Sequence, residues 1–130
     1  MVVTGLVLIS AAALLHVWIF VLESLAWTSP RARATFGLTR EQAEATQQLA
    51  FNQGFYNLFL AVAAAAGVVV LSTGGPTGVG ATLALTGAGS MAAAGLVLAA
   101  SDRSKLRAAL VQATPPLLGA LALVLGLATR

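Results

Sequence analysis

The sequence predicts an all-α integral membrane protein: a bundle of four transmembrane helices with both termini on the non-cytoplasmic side. Three observations carry that expectation. Hydrophobic residues fill 58% of the 130 positions and charged residues only 8%, against roughly 25% charged in a soluble domain. Such a chain cannot cover a soluble fold with polar side chains, so its solvent is lipid. Four apolar stretches, each long enough to cross a bilayer, are separated by short connections. Lastly, the basic residues gather in alternate connections, as topology signals do.

The first span covers about residues 3–26, which at ~1.5 Å per residue gives ~36 Å, enough for a ~30 Å hydrocarbon core. No Lys or Arg precedes it, and it is too long for a signal-peptide core, so it is expected to stay as a spanning helix. Trp27 falls where an interfacial aromatic belongs. Residues 28–38 read as a polar connection bearing Arg31 and Arg33, punctuated by Pro30 and Gly37.

The second span, about 40–71, opens on Thr39-Arg40-Glu41-Gln42, which has capping-box spacing. Its first two turns carry Glu41 and Glu44 and are expected to stand in water or headgroups. Ser72 to Gly80 is a Gly- and Pro-rich turn. The third span, about 80–100, repeats Gly80, Ala84, Ala88 and Ala92 every four residues. Small residues so spaced let helices approach closely in lipid, and this face is expected to hold a helix contact, with a second copy of the chain as one partner. The fourth span, about 106–128, contains Pro115-Pro116, which removes two backbone donors and predicts a kink.

One domain, residues 1–130, accounts for this length. The net charge is +3, from six Arg and one Lys against three Glu and one Asp. In a soluble protein that excess would suggest nucleic acid. Here Arg31, Arg33, Arg40, Arg103, Lys105 and Arg107 all sit in the first and third connections, so the partner expected is membrane lipid and not nucleic acid. The bias places those connections in the cytoplasm, and the localisation expected is a bacterial plasma membrane. Cysteine is absent, which excludes disulfide and thiol chemistry. A single His without Cys offers no zinc or haem ligand set, so neither metal nor cofactor is expected.

Chemistry is sought among the polar residues that lipid would otherwise reject. His16 and Glu23 lie seven residues apart on the first span, on nearly one face but ~10 Å apart along the axis, too far to bond each other. The second span answers with Asn52, Gln53, Tyr56 and Asn57, two adjacent polar stripes at spacing four. Counting inward from Trp27 and from Leu49 sets Glu23 level with Asn52 or Gln53, and His16 level with Asn57 or deeper. On the fourth span Gln112 precedes Pro116 by four residues, so its carbonyl loses its helical donor. These residues are expected to form one intramembrane polar site. His16, Glu23 and Tyr56 would be its catalytic candidates, and Asn52, Gln53, Asn57 and Gln112 its ligand-binding ones.

The run His16-Val17-Trp18-Ile19-Phe20-Val21-Leu22-Glu23, followed by Trp27, resembles the opening of a bacterial membrane family catalogued as domain of unknown function 1304. Asn52-Gln53-Gly54-Phe55-Tyr56-Asn57 is similar to its second hallmark, and Gln112 with Pro115-Pro116 to a third. The third span has Ala94-Gly95 where the family would have Tyr-Gly. The resemblance implies a four-helix membrane protein without an assigned activity. The residues themselves leave three functions open. One is a site that binds or transforms a small amphipathic molecule, with His16 or Glu23 as base and Tyr56 as donor. Another is a small proton-coupled transporter using Glu23, which resembles the small multidrug-resistance exporters in architecture alone. A third is an accessory subunit whose polar cluster docks a partner helix.

Overall fold

The computed structural model describes residues 1–129. Helix α1 runs Val2–Phe20 and passes directly into a π-helical turn, Val21–Leu25; α2 is Pro30–Phe36, α3 Arg40–Ser72, α4 Thr77–Ser101 and α5 Leu106–Ala128, the last entered through a 3-10 turn, Arg103–Lys105. Four segments are long and apolar enough to cross a membrane: α1 with its π turn, α3, α4, and α5 with its 3-10 turn. They form a ring in the order α1, α3, α4, α5, each packing on its two neighbours, while α1 and α4 scarcely meet across the diagonal.

The core is built from small residues, and the large ones face outward. Buried positions are mostly Ala and Gly, joined by Ile9, Leu22, Met91 and Leu123. Val3, Leu14, Leu49 and Val97 are each more than half exposed. That is the reverse of a soluble bundle and suits a lipid surround, where close backbone packing replaces the hydrophobic effect as the force between helices. The tightest seam joins α3 to α4. A Cβ added at Gly67 would meet the Gly80 carbonyl at 2.6 Å and the Ala84 Cα at 2.7 Å, and one at Gly87 would meet the Ala64 Cβ at 2.8 Å. Gly80, Ala84, Ala88 and Ala92 are all buried within the bundle. The small-residue face of α4 is therefore taken up by packing inside one chain.

Helices α1 and α5 meet in antiparallel register. Gly5 abuts Leu123, Ile9 abuts Gly119 and Val2 abuts Gly126. Seven residues further along, the same register brings His16 level with Gln112. The α5 helix runs unbroken through Pro115 and Pro116. Those prolines strip the Val111 and Gln112 carbonyls of their helical donors.

The polar connection after α1 contains helix α2. Ser29 caps it, its hydroxyl accepting from the Ala32 N–H at 3.1 Å; Pro30 occupies the first turn, and Gly37 closes it at φ 67°, in the left-handed region. This Pro-in, Gly-out pattern favours a helix over these residues. Thr39 then opens α3 with both bonds of a capping box: its hydroxyl accepts from Gln42 N–H at 3.2 Å and its own N–H donates to Gln42 Oε1 at 2.9 Å.

Candidate functional site

The candidate polar residues of α1 and α3 are distributed over three places. The first is the interface of α1 with α3. The side chain of Asn57 donates to Glu23 Oε2 at 2.8 Å, and the Ser24 hydroxyl donates to the Phe51 carbonyl at 2.7 Å. Both Glu23 and Ser24 belong to the π-helical turn. Gly54 makes this closeness possible, because a side chain there would run into the Ser24 hydroxyl and meet the Glu23 Cβ at 3.1 Å. The Glu23 backbone is thus level with Gly54, and its carboxyl extends almost a turn deeper, to Asn57, past the Asn52 and Gln53 anticipated from counting. Phe20 sits edge-on to Phe55, with ring centres 5.1 Å apart, on the same seam.

The second place is the bundle interior. His16 is wholly buried, and its Nδ1 lies 2.9 Å from the Ala12 carbonyl one turn earlier. A ring that donates from Nδ1 leaves Nε2 an acceptor, and Nε2 has no hydrogen-bond partner. The third place is the outer surface of α3. Asn52 and Gln53 are exposed there, and Tyr56 is 65% exposed. No hydrogen bond among the described residues joins His16, Glu23 and Tyr56. The three catalytic candidates do not converge on one point.

A cavity lies elsewhere, in the corner between α1, α2 and the start of α5. It measures about 730 Å³. Its inner wall is Leu15, Trp18, Ile19 and Leu22 of α1, facing Ala108, Val111 and Gln112 of α5. The rest of the lining mixes apolar and polar groups: Ala34, Thr35, Phe36 and Gly37 from the end of α2, with Ser104, Lys105 and Arg107. Of the residues singled out from sequence, Gln112 alone lines it. Both residues whose carbonyls are freed by the prolines, Val111 and Gln112, belong to its wall.

Helix α2 roofs this corner and is tied down on three sides. Arg31 lies over the Trp18 ring, 5.5 Å from its centre. Trp27 packs against Phe36 at 4.9 Å and donates from Nε1 to the Thr46 hydroxyl at 3.1 Å, which anchors it to α3. Lys105 Nζ donates to the Phe36 carbonyl at 2.6 Å, which anchors it to the start of α5. Sequence reasoning missed Lys105, Arg107 and Trp18 as site residues. In the sequence the basic pair reads as a topology signal, and Trp18 stands only within an apolar run. Their convergence needs α2, α5 and α1 to meet, and no local spacing records that.

A ring of four helices long and apolar enough to cross a membrane, with a cavity toward the end that carries the basic connections, defines a small all-helical bundle. The chain belongs to the family described as "Protein of unknown function (DUF1304)", whose sequence profile matches residues 10–125. No curated protein and no solved structure matches it at a meaningful level of similarity.

Proposed function

We propose that this chain is a multi-pass protein of the bacterial plasma membrane that holds a small amphipathic molecule in the corner between α1, α2 and α5. The cavity is the observation that carries the reading. About 730 Å³ falls in the ~300–1,000 Å³ range typical of small-molecule sites. Its lining combines aliphatic and aromatic side chains of α1 with the charged Lys105 and Arg107 at the start of α5, which suits a molecule with a tail and a head. Gln112 supplies an amide part-way down, where a polar group on the ligand would need a partner.

In this reading the Glu23–Asn57 pair is a tie between helices beside the site, and His16 is a packed core residue. No arrangement of His16, Glu23 and Tyr56 supports their acting together on a substrate, so binding is proposed without catalysis. The remaining observations favour neither the transporter nor the accessory-subunit alternative.

Native mass spectrometry of the protein released gently from its membrane tests the binding. The wild type is expected to carry a small molecule that Ala108→Trp, which fills the cavity from an exposed position on its wall, has lost. A wild type that carries nothing, or a variant that keeps the same adduct, would sink the proposal.

The proposed orientation puts the α1–α3 and α4–α5 connections in the cytoplasm, on the strength of six basic residues there against Arg130 elsewhere. A chain with no cysteine suits a direct check. In intact cells an impermeant thiol reagent should label Thr77→Cys, in the uncharged α3–α4 turn, and leave Ala45→Cys unlabelled until the cells are broken. The opposite pattern would invert the topology.

A further inference from the structure

We infer that the occupant of the cavity is a single-chain amphiphile with an anionic head, a carboxylate or a phosphate, held by Lys105 and Arg107. This rests on the binding reading above and adds to it the sign of the head and the number of chains. The lining contains these two cations and no carboxylate. Arg31, over Trp18 at 5.5 Å, adds a third cation at the edge of the same corner.

The cations are also uncommitted. Among the described residues the ion pair found is Arg40 with Glu44, away from the cavity lining. Arg107 makes no hydrogen bond to any described residue, and Lys105 spends one of its three N–H donors on the Phe36 carbonyl. The carboxylate nearest in sequence, Asp102, is occupied locally: the Ser104 hydroxyl donates to it at 2.6 Å and the Ser104 N–H at 3.0 Å. Those bonds, with a smaller contribution from the nearby Lys105 charge, hold the Asp102 carboxyl below its ordinary range. An anionic head would give Lys105 and Arg107 charge-assisted hydrogen bonds, stronger than neutral ones. A neutral head would supply no opposite charge, and a cationic head would be repelled.

Size sets the chain count. The lower wall of Leu15, Ile19 and Val111 offers an apolar slot below the cations, and a volume in the small-molecule class accepts one tail more readily than a whole two-chain lipid.

Photo-crosslinking in phosphatidylcholine nanodiscs tests the inference and separates its failure from that of the binding reading. The probes are hexadecanoic acid and hexadecanol, each with a diazirine in mid-chain, and a phosphatidylglycerol carrying the same chain; labelled peptides are mapped by mass spectrometry. Saturable labelling of α1 near Leu15 and Trp18 and of α5 near Val111 is expected from the acid, with much weaker labelling from the alcohol. Arg107→Gln should lower labelling by the acid about tenfold, the size of one lost charge-assisted bond, and Arg107→Lys should restore most of it. A melting curve for Arg107→Gln matching the wild type, as its exposure leads one to expect, shows that folding is intact. Equal labelling by acid and alcohol would overturn the anionic head and leave the cavity reading standing. Labelling by the phosphatidylglycerol but not the acid would overturn the single chain and make the corner a site for a surrounding lipid. Labelling at these residues by no probe would overturn the binding reading itself.

Discussion

The α3–α4 seam and the α1–α2–α5 corner belong to one ring of helices and end up as opposites. Along the seam, Gly67, Gly80 and Gly87 bring two backbones together with no room for a methyl group. At the corner, α1 and α5 begin equally close, Gly5 against Leu123 and Gly126 against Val2, yet by the level of Leu15 and Gln112 they line an open cavity. The difference follows residue size along the two helices. The seam carries Gly67, Gly80 and Gly87 where the two backbones meet, whereas α1 has no glycine after Gly5 and α5 none before Gly119. Where the glycines stop, Trp18, Ile19 and Gln112 stand between the helices, and α2 closes over the gap. Close packing holds the fold, and the place where it lapses is the place able to hold something else.

The contrast is broken most severely at Gly67. A leucine there cannot be absorbed, because the atoms it would strike are the backbone of Gly80 and Ala84. Overpacking usually costs about 1–3 kcal/mol, and with backbone on both sides the loss for Gly67→Leu is expected at ~3 kcal/mol or above. Thermal unfolding in detergent should show the variant melting far below wild type or failing to assemble. Ala108→Trp adds more bulk, at the corner, and should melt near wild type. Equal losses in the two variants would mean that the corner is as closely packed as the seam and that its cavity is not a real vacancy.

Sequence made the seam more legible than the corner. Apolar runs of about 20 residues announce spans because the bilayer's thickness fixes the length. The Gly80-Ala84-Ala88-Ala92 spacing announces a contact face by helical geometry alone. That spacing cannot say whether the contact lies inside one chain or between two, since lipid offers small residues the same advantage either way. The corner is a product of three elements distant in sequence, so Lys105, Arg107 and Trp18 carry no shared local pattern. The polar residues of α3 point to different sides of the helix, which spacing along the chain alone does not fix. Asn57 faces α1, while Asn52, Gln53 and Tyr56 face outward, because Gly54 and the π-helical turn of α1 fix which side of α3 makes the contact.

The smallest expected effect lies on the boundary between the two regions, at Glu23 and Asn57. Interhelical polar bonds in membranes average about 0.6 kcal/mol and reach about 1.7. Asn57→Ala removes the donor and should cost within that range in detergent unfolding. Glu23→Gln keeps an acceptor in the same position, so the Asn57 bond can persist and the cost should be smaller still. Glu23→Leu, which removes the acceptor while keeping a similar volume, should match Asn57→Ala, and the double variant should cost little more than either alone. Additive losses would mean that the two side chains act through different partners. A Glu23→Gln loss as large as that of Asn57→Ala would mean that the carboxylate contributes something that a neutral acceptor cannot replace. The proton-coupled alternative would then have the specific support it now lacks, and flux measurements on the Glu23→Gln protein would be the next step.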